Sequence, residues 1–359
     1  MQRELSIRKS EDGVSPIIGT ILILGIMVTI TGTMLVWGIP QIQESEAYAI
    51  YTSAQNNLLN FDADMDHVIL QGTGSSRTST VSFSTGTFTL RENLDEIRYY
   101  YTTVPWSDPK IIGVKTGSTT FAMTDSKEVV SDYSITLTYP NGTSWTGTTS
   151  SRLVTGFPEM VYGVKATYTS TENTTQIGGF FVYGVDSLSY KYHSVSGVYK
   201  MRMLNGGLVA KEPGGNFFVT SQPLIRANCD VGSCTSVSIG NSNSYDSLSL
   251  YQTDYYIPTS ATKSVMGGNY NFEARNQGGT DNSVTIYSLR MGFTGDSSTA
   301  LRSYYLSNWG FGSNTYYFTS SESTTAANMG FEEDIVYSQD TAFDFRILER
   351  TIHVTFNTR

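Results

Sequence analysis

VSPIIGTILILGIMVTITGTMLVWGIP, residues 14–40, contains no charged side chain, and the charge-free run continues to Gln43. Its most apolar part, residues 17–39, is 23 residues long. As a helix rising about 1.5 Å per residue it spans roughly 35 Å, enough to cross a hydrocarbon core of about 30 Å. Trp37 stands near the far end, where an amphipathic ring suits the membrane interface. Arg3, Arg8 and Lys9 precede the run; Glu44 and Glu46 follow it, and no Lys or Arg comes before Arg77. The positive-inside rule therefore places the N-terminus in the cytoplasm and everything beyond residue 43 outside.

An ordinary secretory signal has an apolar core of roughly 7–15 residues and a small-residue cleavage site after it. Here the run is longer and closes on Gly38-Ile39-Pro40-Gln41, with no such site. A processing signal lies instead before it. In Asp12-Gly13-Val14-Ser15-Pro16-Ile17-Ile18-Gly19-Thr20 a short charged leader ends in glycine and the apolar helix follows directly. This segment resembles the class III signal peptide of archaeal type IV pilins and archaellins, which commonly reads V-S-P-x-I-G-x-I. The resemblance covers roughly residues 8–45, about a tenth of the chain. It implies that a prepilin peptidase cuts after Gly13 and leaves Val14 as the new N-terminus. It further implies that the retained helix holds the subunit in membrane lipid and then packs against like subunits in a filament core. The function so implied is a non-enzymatic structural subunit of a surface filament used for attachment, with no cofactor. The large external part points to a minor, tip or surface-displayed subunit. The alternative is a single-pass receptor or adhesin that never polymerises, whose partners are surface glycans or the cell envelope.

Within the helix, Gly19, Gly25 and Gly32 lack side chains, and Gly25 and Gly32, seven apart, fall on nearly one face. Thr20, Thr29, Thr31 and Thr33 can bond a neighbouring helix or their own backbone. Pro40 removes a backbone donor and is expected to kink the helix. Beyond it Ile50, Ala54, Leu58, Phe61, Met65 and Val68 form one apolar stripe, which predicts a helical stem over 41–72, ended by Gly72 and Gly74 and docked on the following domain. Asp62, Asp64 and Asp66 have the start of a calcium loop but neither its glycine nor its closing glutamate, so they read as a solvated helix face.

Residues 73–359 change to an alternating period and read as an extracellular β-sandwich, one large or two smaller domains with a candidate break at 186–215. The whole chain is thus mainly β with one long N-terminal α-helix. Val81/Phe83 and Phe88/Leu90 flank Gly86, which predicts a hairpin. Tyr133, Ile135, Leu137 and Tyr139 alternate up to Pro140-Asn141-Gly142. Residues 198–204 and 208–210 flank Asn205-Gly206-Gly207, a second hairpin, and Ile352, Val354 and Phe356 alternate to the C-terminus. Residues 198–223 also resemble, more weakly, a strand–GG–strand–GG–aromatic run of archaeal pilin-like surface proteins, which favours one continuous β-domain.

Composition agrees with an external β-protein: Ser and Thr make up about a quarter of the 359 residues, aromatics 13%, and charged residues only 15%. A net charge of −9 with no basic cluster in the sequence argues against nucleic acid as a partner. Cys229 and Cys234, close together outside the cell, are expected to form a disulfide, and with three widely spaced histidines no metal site is expected. Asn141 and Asn173 head N-x-[ST] sequons and are candidate glycosylation sites. No nucleophile elbow, H-E-x-x-H or P-loop is present, and Glu332-Glu333-Asp334 reads as a solvated turn. Tyr99-Tyr100-Tyr101, Trp106, Trp145, Tyr255-Tyr256, Tyr304-Tyr305, Trp309 and Tyr316-Tyr317 either fill the core or present flat rings to sugars and partner subunits.

Overall fold

The computed structural model describes residues 16–103, 110–114, 120–124, 133–138, 142–149, 153–155, 164–169, 174–229, 232–233, 244–258, 264–314 and 334–358. The chain is mainly β, led by one long helix. That helix, α1 (Pro16–Gln71), is followed by β1 (Ser76–Thr102), β2 (Lys110–Val114), β3 (Thr120–Thr124), β4 (Tyr133–Thr138), β5 (Ser144–Thr149), β6 (Leu153–Thr155), β7 (Val164–Thr169), β8 (Thr174–Ser194) and β9 (Gly197–Leu204). Then come β10 (Gly207–Lys211), β11 (Phe218–Ser221), β12 (Ile225–Cys229), β13 (Gly232–Ser233), β14 (Tyr245–Tyr256), β15 (Ser264–Gly278) and β16 (Asp281–Thr294). A short helix, α2 (Ser298–Asn308), precedes β17 (Gly312–Asn314) and the closing strand β18 (Asp334–Thr358).

Fifteen strands form one connected sheet, and β2, β3 and β6 form a second, small one. The pairings are antiparallel except β14 on β18. Strand register shows that the large sheet cannot be flat. Along β18, β16 comes first and β15 second: Met291–Asp281 face residues 335–348, then Gly278–Tyr270 face residues 351–358. Along β1 the order is reversed, with β15 on residues 76–89 and β16 on residues 96–102. Two mutually parallel strands flanking one planar ribbon would meet its parts in the same order. The sheet therefore folds over between β15 and β16, where a Cβ on Gly279 would lie 1.9 Å from the Glu349 carbonyl, and at the bulge between Arg91 and Asp95 of β1. The fold creates two cores. One contains Val81, Phe83, Phe88, Phe272 and Phe356 under the second half of α1. The other contains Ile97, Tyr99, Tyr101, Leu289 and Phe345 beside α2.

The alternating pattern around Gly86 is not a hairpin. β1 runs straight through, and Gly86, at φ +94°, sits in a bulge between Phe83 and Thr87. The bulge shifts the side-chain phase by one, so that Val81 and Phe83 before it and Phe88 after it all face the α1 core. Glycine supplies the left-handed backbone, and a Cβ there would stand 2.7 Å from the Tyr190 ring. The Asn205-Gly206 turn does form a hairpin, with Asn205 at φ 51° and Gly206 at φ 69° joining β9 to β10. Residues 186–211 lie in β8, β9 and β10, adjacent strands of the one large sheet. Of the aromatic runs, Tyr99, Tyr100, Tyr101, Tyr255, Tyr305 and Trp309 are buried. Tyr256 is exposed and packs its ring 4.7 Å from that of His353. Trp106 and Tyr316-Tyr317 lie outside the described residues.

Candidate functional site

The apolar span and the helical stem expected beyond it are one continuous helix of 56 residues with Pro40 inside it. At about 1.5 Å per residue it is roughly 84 Å long. Proline costs one intrahelical hydrogen bond. In this helix the surrounding turns carry the chain through, and the two parts differ in what covers them.

The N-terminal part is bare. It is long and apolar enough to cross a membrane, and none of its most apolar window is buried. Ile17, Met34, Val36 and Trp37 are 69%, 69%, 79% and 73% exposed, a state water penalises by about 25 cal/mol per Å² of apolar surface. A Cβ on Gly19, Gly25 or Gly32 would meet nothing within 4 Å. The Thr20, Thr29 and Thr33 hydroxyls donate to the carbonyls of Ile17, Gly25 and Thr29 at 2.8–2.9 Å, satisfying themselves on their own helix. The surface is therefore apolar and, at the glycines, unobstructed.

The C-terminal part is docked. Ala47, Tyr51, Ala54, Leu58, Phe61, Met65 and Val68 are buried, stepping 4, 3, 4, 3, 4 and 3 residues along one stripe. Tyr51 takes the place expected for Ile50, which is only partly buried. Tyr51 packs on Tyr199 at 4.8 Å and Phe61 on Phe272 at 5.3 Å. Polar ties flank the stripe: Asn57 donates to the Ser82 carbonyl at 2.6 Å, and Arg77 pairs with Asp64 at 2.7 Å. The helix end is pinned from the sheet. Buried Asn276 of β15 donates to the Val68 carbonyl at 3.2 Å, and the Ser75 hydroxyl donates to the same oxygen at 2.7 Å. Together they satisfy a carbonyl that the end of a helix leaves open. Gly72 and Gly74, at φ +90° and +88°, then turn the chain into β1.

Asp62 and Asp66 are not on a solvated face. Asp62 is 1% exposed and Asp66 partly buried, one turn apart on the docked side. Burial pushes the Asp62 carboxyl up to about 6, opposed by a hydrogen bond from Ser221. Burial and the neighbouring Asp62 push Asp66 up to about 8. The Tyr255 hydroxyl is wholly buried and raised by its burial and by both carboxylates, and neither carboxylate's Oδ1 has a hydrogen-bond partner among the described residues. The signal was available in the spacing. Asp62 follows Leu58 by four and Asp66 follows Asp62 by four, inside the arc of the apolar stripe. Asp64, two positions out of that arc, is the one that reaches Arg77 and Ser79.

Other residues singled out by sequence are scattered. Cys229 is buried at the end of β12, and no cysteine is free among the described residues. Gly13, Val14, Asn141, Asn173, Cys234, Glu332 and Glu333 lie outside the described residues. Among the described residues no group of three or more His, Cys, Asp or Glu could hold a metal ion.

One family model matches residues 13–190. It is described only as a family of unknown function (DUF7289), and it takes in α1 and the chain as far as β8. That is 178 of 359 residues, just under half of the chain. No curated protein and no solved structure matches.

Proposed function

We propose that this chain is a type IV pilin-like surface protein, processed between Gly13 and Val14 and assembled through the bare part of α1 into a filament of like subunits. One observation carries the proposal: a single helix is docked along its second part and bare along its first, with three glycines on an unobstructed surface. Apolar surface on that scale needs cover, and lipid and neighbouring copies of the same helix both provide it. Small residues allow close approach between apolar helices, so the surface that rests in lipid before assembly can pack on like helices after it. In this reading the β-domain stays outside the cell, Cys229 is bridged to Cys234, Asn141 and Asn173 are open to glycosylation, and no catalytic step is involved. A receptor that stays in the membrane would need the same anchor but not the packing face.

The test is the N-terminal peptide, read by mass spectrometry on protein from sheared surface filaments and from membranes separately. The proposal expects chains beginning at Val14 and enriched in the sheared fraction. Chains beginning at Val14 but confined to membranes would overturn the filament and leave a processed anchor. An intact leader, found in membranes alone, would overturn the pilin-like reading altogether and leave the single-pass receptor.

A further inference from the structure

A basic ladder crosses β8, β9 and β10. Lys191 pairs directly with Lys200, and Lys200 with Lys211. Arg202, two residues on from Lys200, lies on the same side of β9. The alternate residues Tyr190, Met201 and Ala210 face the α1 core, so the cations occupy the opposite face. Directly opposed side chains in an antiparallel sheet have Cβ atoms about 5 Å apart, and like charges so placed repel. Three of the chain's nine lysines stand in this one row, in a protein of net charge −9. None of the three ammonium groups makes an ion pair among the described residues. Arg202 is held at 3.8 Å from buried Asp95 and donates to Ser297 at 2.9 Å. Arg202 and Lys211 also sit over the Phe217 ring, at 4.6 and 5.5 Å from its centre. Partial burial, and then the nearby charges of Arg202, Lys211 and Lys191, hold Lys200 below the ordinary lysine range.

At Lys211 the ladder meets a cavity of about 580 Å³ beside the first turn of α2. Lys211 stands on its wall, Phe217 and Phe293 supply apolar surface, and Asn216, Thr299 and Asp296 supply polar groups. This combination selects among anions. A bare phosphate or sulfate gains from the lysines but has no use for the apolar wall, and an acidic peptide of aspartate or glutamate brings no C–H ring face to it. A sugar ring bearing a carboxylate or sulfate uses every part: its acidic group meets Lys211 and the lysines beyond it, its C–H face the parts of Phe217 and Phe293 that line the cavity, and its hydroxyls Asp296, Asn216 and Thr299. We propose that the ladder of Lys191, Lys200 and Lys211 and the adjoining cavity form a binding site for an acidic saccharide. The proposal concerns the β-domain alone and holds whether or not the chain polymerises.

The test uses the full chain in nanodiscs of uncharged lipid. Calorimetric titration compares a uronic-acid trisaccharide, its neutral hexose counterpart, inorganic sulfate and a glutamate tripeptide, at low and high salt. The uronic trisaccharide is expected to bind most tightly and to weaken as salt rises. Lys200→Gln and Lys211→Gln are each expected to weaken it about tenfold, with Arg275→Gln, away from the ladder, unchanged. Asp296→Asn is expected to weaken the trisaccharide while leaving sulfate no weaker than before. Thermal melting of each variant separates lost binding from lost folding. Sulfate or the peptide binding as tightly as the trisaccharide would overturn the saccharide assignment. Unchanged trisaccharide affinity in the folded Lys200→Gln/Lys211→Gln double variant, or no binding of any anion at low salt, would overturn the site.

Discussion

Replacing Asp62 by asparagine is expected to stabilise the protein above neutral pH and to do nothing near pH 4. The Asp62 carboxyl titrates at about 6 in the fold against an ordinary 3.8, because burial penalises its charge more than the Ser221 hydrogen bond relieves it. Below 3.8 the group is protonated whether the chain is folded or not, so it contributes no pH dependence there. As pH rises from 3.8 to about 6 the unfolded chain releases the proton and the folded chain keeps it, so stability falls across that window and stays low above it. That difference corresponds to about 3 kcal/mol. Asp66, raised to about 8 partly by Asp62 itself, extends the loss to higher pH. The substituted amide would keep an acceptor oxygen for Ser221 and remove the charge that both Asp66 and Tyr255 feel. On the outer side of the same helix, Asp64 pairs with Arg77 and feels His67. The assay is the melting temperature of wild type and Asp62→Asn in the same detergent from pH 4 to pH 8.5. The difference should open from near zero to roughly 5–10 °C in favour of the variant. A variant that melts lower than wild type by the same margin at every pH would refute the argument, because it would mean that the carboxylate is satisfied in its charged form.

Gly25→Leu should leave membrane insertion and the melting of the β-domain unchanged, since its Cβ has open space, and should abolish sheared filaments. A normal filament yield from that variant would count against packing through this face. Phe61→Ala removes a fully buried ring packed on Phe272 and should cost about 3–5 kcal/mol, visible as a lowered denaturant midpoint. Gly86→Ala should destabilise by about 1–3 kcal/mol, because the positive φ is strained for alanine and the Tyr190 ring must move. Neutralising Arg77 should cost less than about 1 kcal/mol in chemical denaturation, as its pair with Asp64 is largely exposed.

Features that depend on local spacing are legible in the sequence. The charge-free span, the stripe from Ala54 to Val68, the Asn205-Gly206 turn and the alternation of the last strand all follow from periods of 3.6 or 2 and from one turn rule. Gly86 misleads because a change of phase beside a glycine looks the same for a bulge as for a turn. Only the partner strand, with Phe83 on Gly268 and Thr87 on Met266, distinguishes them. Asp62 reads as solvated because aspartate usually is, and the choice of Tyr51 over Ile50 stays open until the position of Tyr199 is known. The basic ladder is hidden for a different reason. Lys200 and Lys211 become neighbours once the Asn205-Gly206 turn fixes the register, but bringing in Lys191 also requires the turn at Val195-Ser196. Intervals of nine and eleven residues carry no signal until both turns are placed. α2 escapes a periodicity search because its buried residues, Ala300, Leu301 and Tyr305 among them, are too few to establish a period.

The continuity of α1 through Pro40 has a mechanical consequence. A flexible joint between anchor and domain would let each β-domain swivel, and a pull on it would be absorbed by the joint. A helix whose backbone continues through that joint offers less slack than a loop would. Tension applied to the sheet travels through the Leu58–Val68 contacts as shear and reaches the Asn276 pin at the far end of the helix, so many side chains must slide together before the stem peels away. Twist travels the same way. Under the proposed assembly, the rotation of one helix about its axis sets the direction in which its β-domain faces.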